Sequence, residues 1–191
     1  MKHSLALLIV LLSTSAIARD PEPCRALVLS PEQQWNPANS DVTPALRRFY
    51  EIESLMESAF SSDETVTART LAEEYLVLAE LFPCNWNYGN AIHNANSVLG
   101  LAAIAVGHVD VATKHLLAAG ATPGSPQLDT FGPSFELARE MLKHKQLAAV
   151  QTYFTNIRSF WAMDRGVVAG WIAQLKLGEV PDVSGHCRAD A

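Results

Sequence analysis

From residue 43 onward apolar side chains recur at intervals of three and four, the spacing that gathers one face of an α-helix. Thr43-Pro44 marks the first start: an N-cap residue followed by proline at the first helical position, where its missing N–H costs nothing. Ala45, Phe49, Ile52, Met56, Ala59 and Phe60 predict a helix to about Phe60. Ser61 and Glu64 stand at capping-box spacing before a second stripe from Ala68 through Leu71, Tyr75 and Ala79 to Phe82, which Pro83 ends. A third helix is expected from about Tyr88 to Val106. Its second half, from Val98 on, is apolar nearly all round, so it should lie at the centre of the fold. After a turn at Gly107-His108-Val109-Asp110, a short partner helix presents Val111, Ala112, His115, Leu116 and Ala119 inward and ends at Gly120, read as a glycine that stops the helix. Three more helices follow: one near Pro133 to Leu142, one carrying Leu147, Val150, Phe154, Ile157 and Trp161, and one carrying Val168, Trp171, Ile172 and Leu175. No stretch alternates at period two. The expected fold is all-α, with about seven helices in tandem antiparallel hairpins.

Both ends of the chain read differently. Residues 1–18 combine Lys2 and His3, an apolar run from Leu5 to Leu12 and the small-residue exit Ala16-Ile17-Ala18, which is the build of a cleavable secretory signal. The run is too short for a membrane span, which needs about 20 apolar residues. Residues 19–41 read as an extended N-terminal arm, 42–180 as a helical-hairpin domain and 181–191 as a flexible C-terminal tail. No later apolar run is long enough to cross a bilayer, so no membrane span is expected after signal cleavage, and the location implied is periplasmic or secreted.

Cleavage would remove one charged side chain, Lys2, and leave a 173-residue chain with 13 basic against 20 acidic residues. That balance, without a basic stripe, argues against nucleic acid and favours a basic partner. Cys24, Cys84 and Cys187 are an odd number in a chain bound for an oxidising compartment, so at most one intramolecular disulfide forms. Three pairings are open to the sequence, and Cys24 with Cys84 is the preferred one, because Cys84 closes a helix and Cys187 sits in a polar tail. In the chain-entropy picture a loop of that length stabilises by about 4 kcal/mol. With no CxxC, no HExxH, no GxSxG and no phosphate-cradling glycine loop, no metal, cofactor or catalytic residue is assigned.

The connector "ATPGSPQLDTFGPS" and the start of the third helix hold the remaining polar features. Asn87, Asn90, Asn94 and Ser97 share one helix face, with His93 beside them. Asparagine is a mediocre helix former, so a stripe of them needs partners. In one reading the connector folds over this face, its backbone satisfied by the carboxamides, with Leu128 and Phe131 as plugs into the core. In the other the stripe faces an open groove, and Asn87, Asn90, His93, Asn94, Ser97 and Gln127 bind a peptide or a loop of another protein.

The segments "WNYGNAIHNANSVLGLAA" and "GHVDVATKHLLAAGATPGSPQLDTFGPSFELARE", followed by "YFTNIRSFW", resemble a widespread bacterial family of small tetratricopeptide-like helical proteins marked by NYGNAxH and TPGSPQLxxFGP motifs. The likeness covers roughly residues 86–178 and implies a helical-hairpin fold without implying an activity. The expectation is an exported helical-repeat protein that binds another protein or a peptide, as an inhibitor or immunity protein or as an envelope assembly factor. The alternative is a small hydrolase using His93 with a neighbouring carboxylate, for which Glu73, Glu74 and Glu80 on the second helix are the candidates. A third is a purely structural envelope protein.

Overall fold

A computed structural model describes residues 43–186. The expected signal segment, the N-terminal arm, Cys24 and Cys187 lie outside the described residues. Those described are helical throughout, with no strand among them. The helices are α1 (Pro44–Ser61), α2 (Thr65–Leu81), α3 (Tyr88–Ala105), α4 (Val109–Gly120), α5 (Pro126–Phe131), α6 (Glu136–Lys143), α7 (Leu147–Ile157) and α8 (Val167–Lys176), followed by a 3-10 turn at Ser184–His186.

Local chemistry accounts for most boundaries. The Thr43 hydroxyl accepts from the Leu46 amide at 3.2 Å and Pro44 occupies the first turn, as expected. The capping box does not form: α1 runs through Ser61, Asp63 turns the chain at a φ of 58°, and Glu64 precedes α2 without a side-chain cap. The eighth helix is α5, a single turn inside the connector. Ser125 caps it by accepting from the Leu128 amide at 3.0 Å, and Pro126 fills its first position. One turn is too short to leave a periodic signature, which is why the sequence pattern passes over it. Gly120 ends α4 from within the helix, where a methyl would meet the Tyr153 ring on α7 at 2.8 Å. It serves helix approach in place of the left-handed stop expected of it.

Consecutive helices pair as α1/α2, α3/α4 and α6/α7, and α2 packs on α3, α3 on α6, α4 on α7 and α7 on α8. Two apolar clusters result. Phe49, Ile52, Met56, Ala68, Ala72 and Tyr75 meet Ala91, Ala95 and Leu99 of α3 in the first. Leu116, Phe135, Met141, Phe154, Ile157, Trp161 and Trp171 dominate the second, which Ala103 reaches from the far end of α3. α3 therefore belongs to both, in keeping with its all-round apolar second half. The segment expected to form a tail is packed at its start, since Val183 is buried in the second cluster.

His115 of α4 and the buried Asn96 of α3 join the central hairpin, His115 Nδ1 lying 2.9 Å from Asn96 Oδ1. Burial lowers the His115 pKa from its ordinary value. The folded state then prefers the neutral ring, so this group supports folding fully above the unfolded pKa of about 6.5 and withdraws that support as pH falls below it. Denaturation curves at pH 7.5 and pH 5 should show His115→Gln losing less stability on acidification than the parent. An equal loss in the two proteins would remove His115 as a cause.

Candidate functional site

The connector between α4 and α6 is seated on the first turns of α3. Thr122 Oγ1 donates to the Gly89 carbonyl at 2.9 Å, and Ser125 Oγ donates to Asn90 Oδ1. Three glycines allow the approach. A methyl on Gly89 would overlap the Gly124 carbonyl, one on Gly124 would run into Phe160, and one on Gly132 would run into Trp161. Gly124 and Gly132 also hold φ of 86° and 80°, a left-handed region costly to residues with a Cβ. Asp129 Oδ1 fixes the other side by accepting from the Ala162 amide at 2.9 Å. Leu128 is buried as expected. Phe131 is not a core plug: it stands 82% exposed, because the left-handed turn at Gly132 directs the chain inward only after it.

A groove of about 910 Å³ opens beside this seat. The first half of α3 is its floor, since that helix packs on α1 to one side and on α5 to the other. α1 contributes Tyr50, Glu53, Ser54 and Glu57, and the connector contributes Gln127, Phe131 and Ser134. Asn87, Asn90 and Asn94 reach it from the floor, with Trp86 at the end, stacked on Tyr50 at a ring separation of 5.9 Å and an interplanar angle of 20°.

Beneath the groove the carboxamides are wired together. Asn90 Nδ2 donates to Asn87 Oδ1 at 2.7 Å, Asn87 Nδ2 donates to the Tyr75 hydroxyl at 2.8 Å, and that hydroxyl donates to Glu53 Oε2 at 3.1 Å. Burial and the Glu53 charge raise the Tyr75 pKa, so the phenol stays a donor. Glu53 Oε1 accepts from Asn94 Nδ2. A carboxylate only accepts, which fixes the Asn94 amide with its oxygen toward His93 Nδ1, 3.0 Å away. Nδ1 therefore carries the proton, and in the neutral ring Nε2 accepts from the Tyr153 hydroxyl at 3.1 Å. Ser134 O lies 3.3 Å from the same hydroxyl, so the chain of contacts runs from Glu53 on α1 across α3 and α7 to the connector.

Of the six residues singled out from the sequence, Asn87, Asn90, Asn94 and Gln127 line the groove. His93 is fully buried behind Asn94, and Ser97 spends its hydroxyl on the His93 carbonyl at 2.8 Å. Ser97 borders a separate recess of about 30 Å³ with Met56 and Leu101. The carboxylate that reaches His93 does so through Asn94, and it is Glu53. Glu74 is instead taken by Arg48 in two 2.7 Å hydrogen bonds, which lower its pKa, and Glu73 pairs with Arg69. Glu53, Glu57, Tyr50 and Phe131 were not legible as site residues, because on the sequence they read as ordinary helix or core positions. No group of three or more His, Cys, Asp or Glu side chains suited to a metal occurs among the described residues. None of the described helices is long and apolar enough to cross a membrane. No protein-family model, curated protein or solved structure matches the chain.

Proposed function

We propose that this is an exported helical-hairpin protein that binds a peptide or a loop of another protein in the groove between α1, α3 and the connector. The observation that carries the reading is Phe131, 82% exposed at the edge of a cleft whose polar floor is already internally hydrogen-bonded. With the stacked Tyr50 and Trp86 lining the same groove, the exposed ring belongs to a cluster of aromatic surface, and apolar surface gathered in this way, with aromatics enriched, marks contact sites. The rigid floor means that little order has to be gained on binding. The acidic excess of the chain suits a basic partner, whether the protein acts as an inhibitor or immunity protein or as an envelope assembly factor.

Tetratricopeptide-like stacking belongs to the same proposal, supported by the serial hairpins and by Gly100, where a methyl would collide with Leu137 of the next hairpin. So do periplasmic or secreted location, supported by the composition of residues 1–18, and a Cys24–Cys84 disulfide, supported by the place of Cys84 just beyond the end of α2. The hydrolase alternative draws less support, since His93 is fully buried behind Asn94 and does not line the groove.

A photo-crosslinking residue at position 131, introduced into the protein in its native host, should trap a defined partner. The same residue at position 66, on the exposed outer side of α2, should not. Equal trapping at both positions, or none at 131, would remove the groove as the binding surface. Asn90→Ala and Asn94→Ala are poor probes of binding, because both side chains belong to the internal network.

A further inference from the structure

The chemistry of the groove narrows the partner further, on the footing that the groove is the binding surface. Its lining contains two carboxylates, Glu53 and Glu57, and no lysine, arginine or histidine. It also contains three aromatic rings, the stacked Tyr50 and Trp86 and the exposed Phe131. Glu53 is held by two donors, Tyr75 and Asn94, which use two of roughly four acceptor positions on a carboxylate. It is a fixed negative charge with capacity remaining. Gln127 adds a carbonyl oxygen that is screened from water and has no hydrogen-bond donor among the described residues.

We propose that the groove captures an arginine side chain of the partner, with the guanidinium over the aromatic rings and against Glu57 and Glu53. A guanidinium is flat, weakly hydrated and rich in donors, so it can stack on a ring and serve a carboxylate and an amide oxygen together. An ammonium offers a compact point charge and loses the stacking. A neutral sugar would use the rings but bring no charge to match the two carboxylates as water is displaced. The volume exceeds what one guanidinium fills, which leaves room for the backbone on either side of the arginine.

The test is a titration of the mature chain with the tripeptide acetyl-Gly-Arg-Gly-amide, followed through the Trp86 indole and Gln127 amide NMR signals. Its citrulline and lysine counterparts serve as comparisons. Arginine should bind at least roughly tenfold more tightly than citrulline, which has nearly the same shape without the charge. Phe131→Ala and Glu57→Gln should each weaken it roughly three- to thirtyfold, with thermal midpoints close to the parent's. Equal binding of arginine and citrulline, tighter binding of lysine or of a neutral oligosaccharide, or no saturation overturns the inference. The same titration on a chain with Arg19→Gln and Arg25→Gln separates a foreign arginine from the protein's own arm. Binding gained roughly tenfold in that variant would make the arm the occupant and overturn a foreign partner. If position 131 still traps its partner while arginine shows no preference, only the cation inference falls; if trapping at 131 fails, the groove reading falls with it.

Discussion

Gly89→Ala should destabilise the protein by about 3 kcal/mol or more, because overpacking against backbone cannot be relieved by a change of rotamer. The added methyl would overlap the Gly124 carbonyl, and Gly124 has no room to retreat because it already lies against Phe160. Either the connector lifts from α3, breaking the Thr122–Gly89 and Ser125–Asn90 hydrogen bonds, or α3 shifts within both apolar clusters. The control is the same substitution where nothing is near. Gly170 sits inside α8 with open space at its Cβ, so Gly170→Ala should stabilise by up to about 1 kcal/mol through helix propensity alone. Urea denaturation of both variants reads the two signs. A Gly89→Ala protein with an unchanged midpoint would mean the connector is not clamped on α3.

His93→Ala should cost about 3 kcal/mol, from the cavity left by a fully buried ring and from the donor lost to Asn94. Tyr153 retains the Ser134 carbonyl as an acceptor, so its hydroxyl is not stranded. Asn94 is the group that suffers, and with it the placement of Glu53 at the groove. His93→Asn, whose amide can stand near the position of Nδ1, should recover part of the loss. Calorimetry on the two variants tests this, and full stability in His93→Ala would show that the network contributes nothing to the fold. A stable His93→Ala protein that had lost a hydrolytic activity would favour the enzyme alternative over groove binding.

Both substitutions act through contacts made across long stretches of sequence, and there the limits of pattern reading are plain. The asparagine stripe was legible because three carboxamides and a hydroxyl on one helix face demand partners, and four of the six residues named from it or from the connector do border the groove. Glu53 was not, since a glutamate on the polar side of an amphipathic helix is indistinguishable from its solvated neighbours. Its role arises only when Tyr75 and Asn94 converge on it from 22 and 41 residues away. Phe131 misled in the opposite direction. An aromatic residue after a buried leucine suggests a plug, but the φ of 80° at the following glycine leaves the ring outside.

Helix type, helix faces and the central place of α3 were thus settled by the order of residues along the chain, because a period of 3.6 is local and survives any later packing. Which polar groups would face one another, which glycine would serve approach and not termination, and where an open cleft would remain were decided by how the hairpins stack. Those outcomes depend on distances between segments, and no local propensity encodes them.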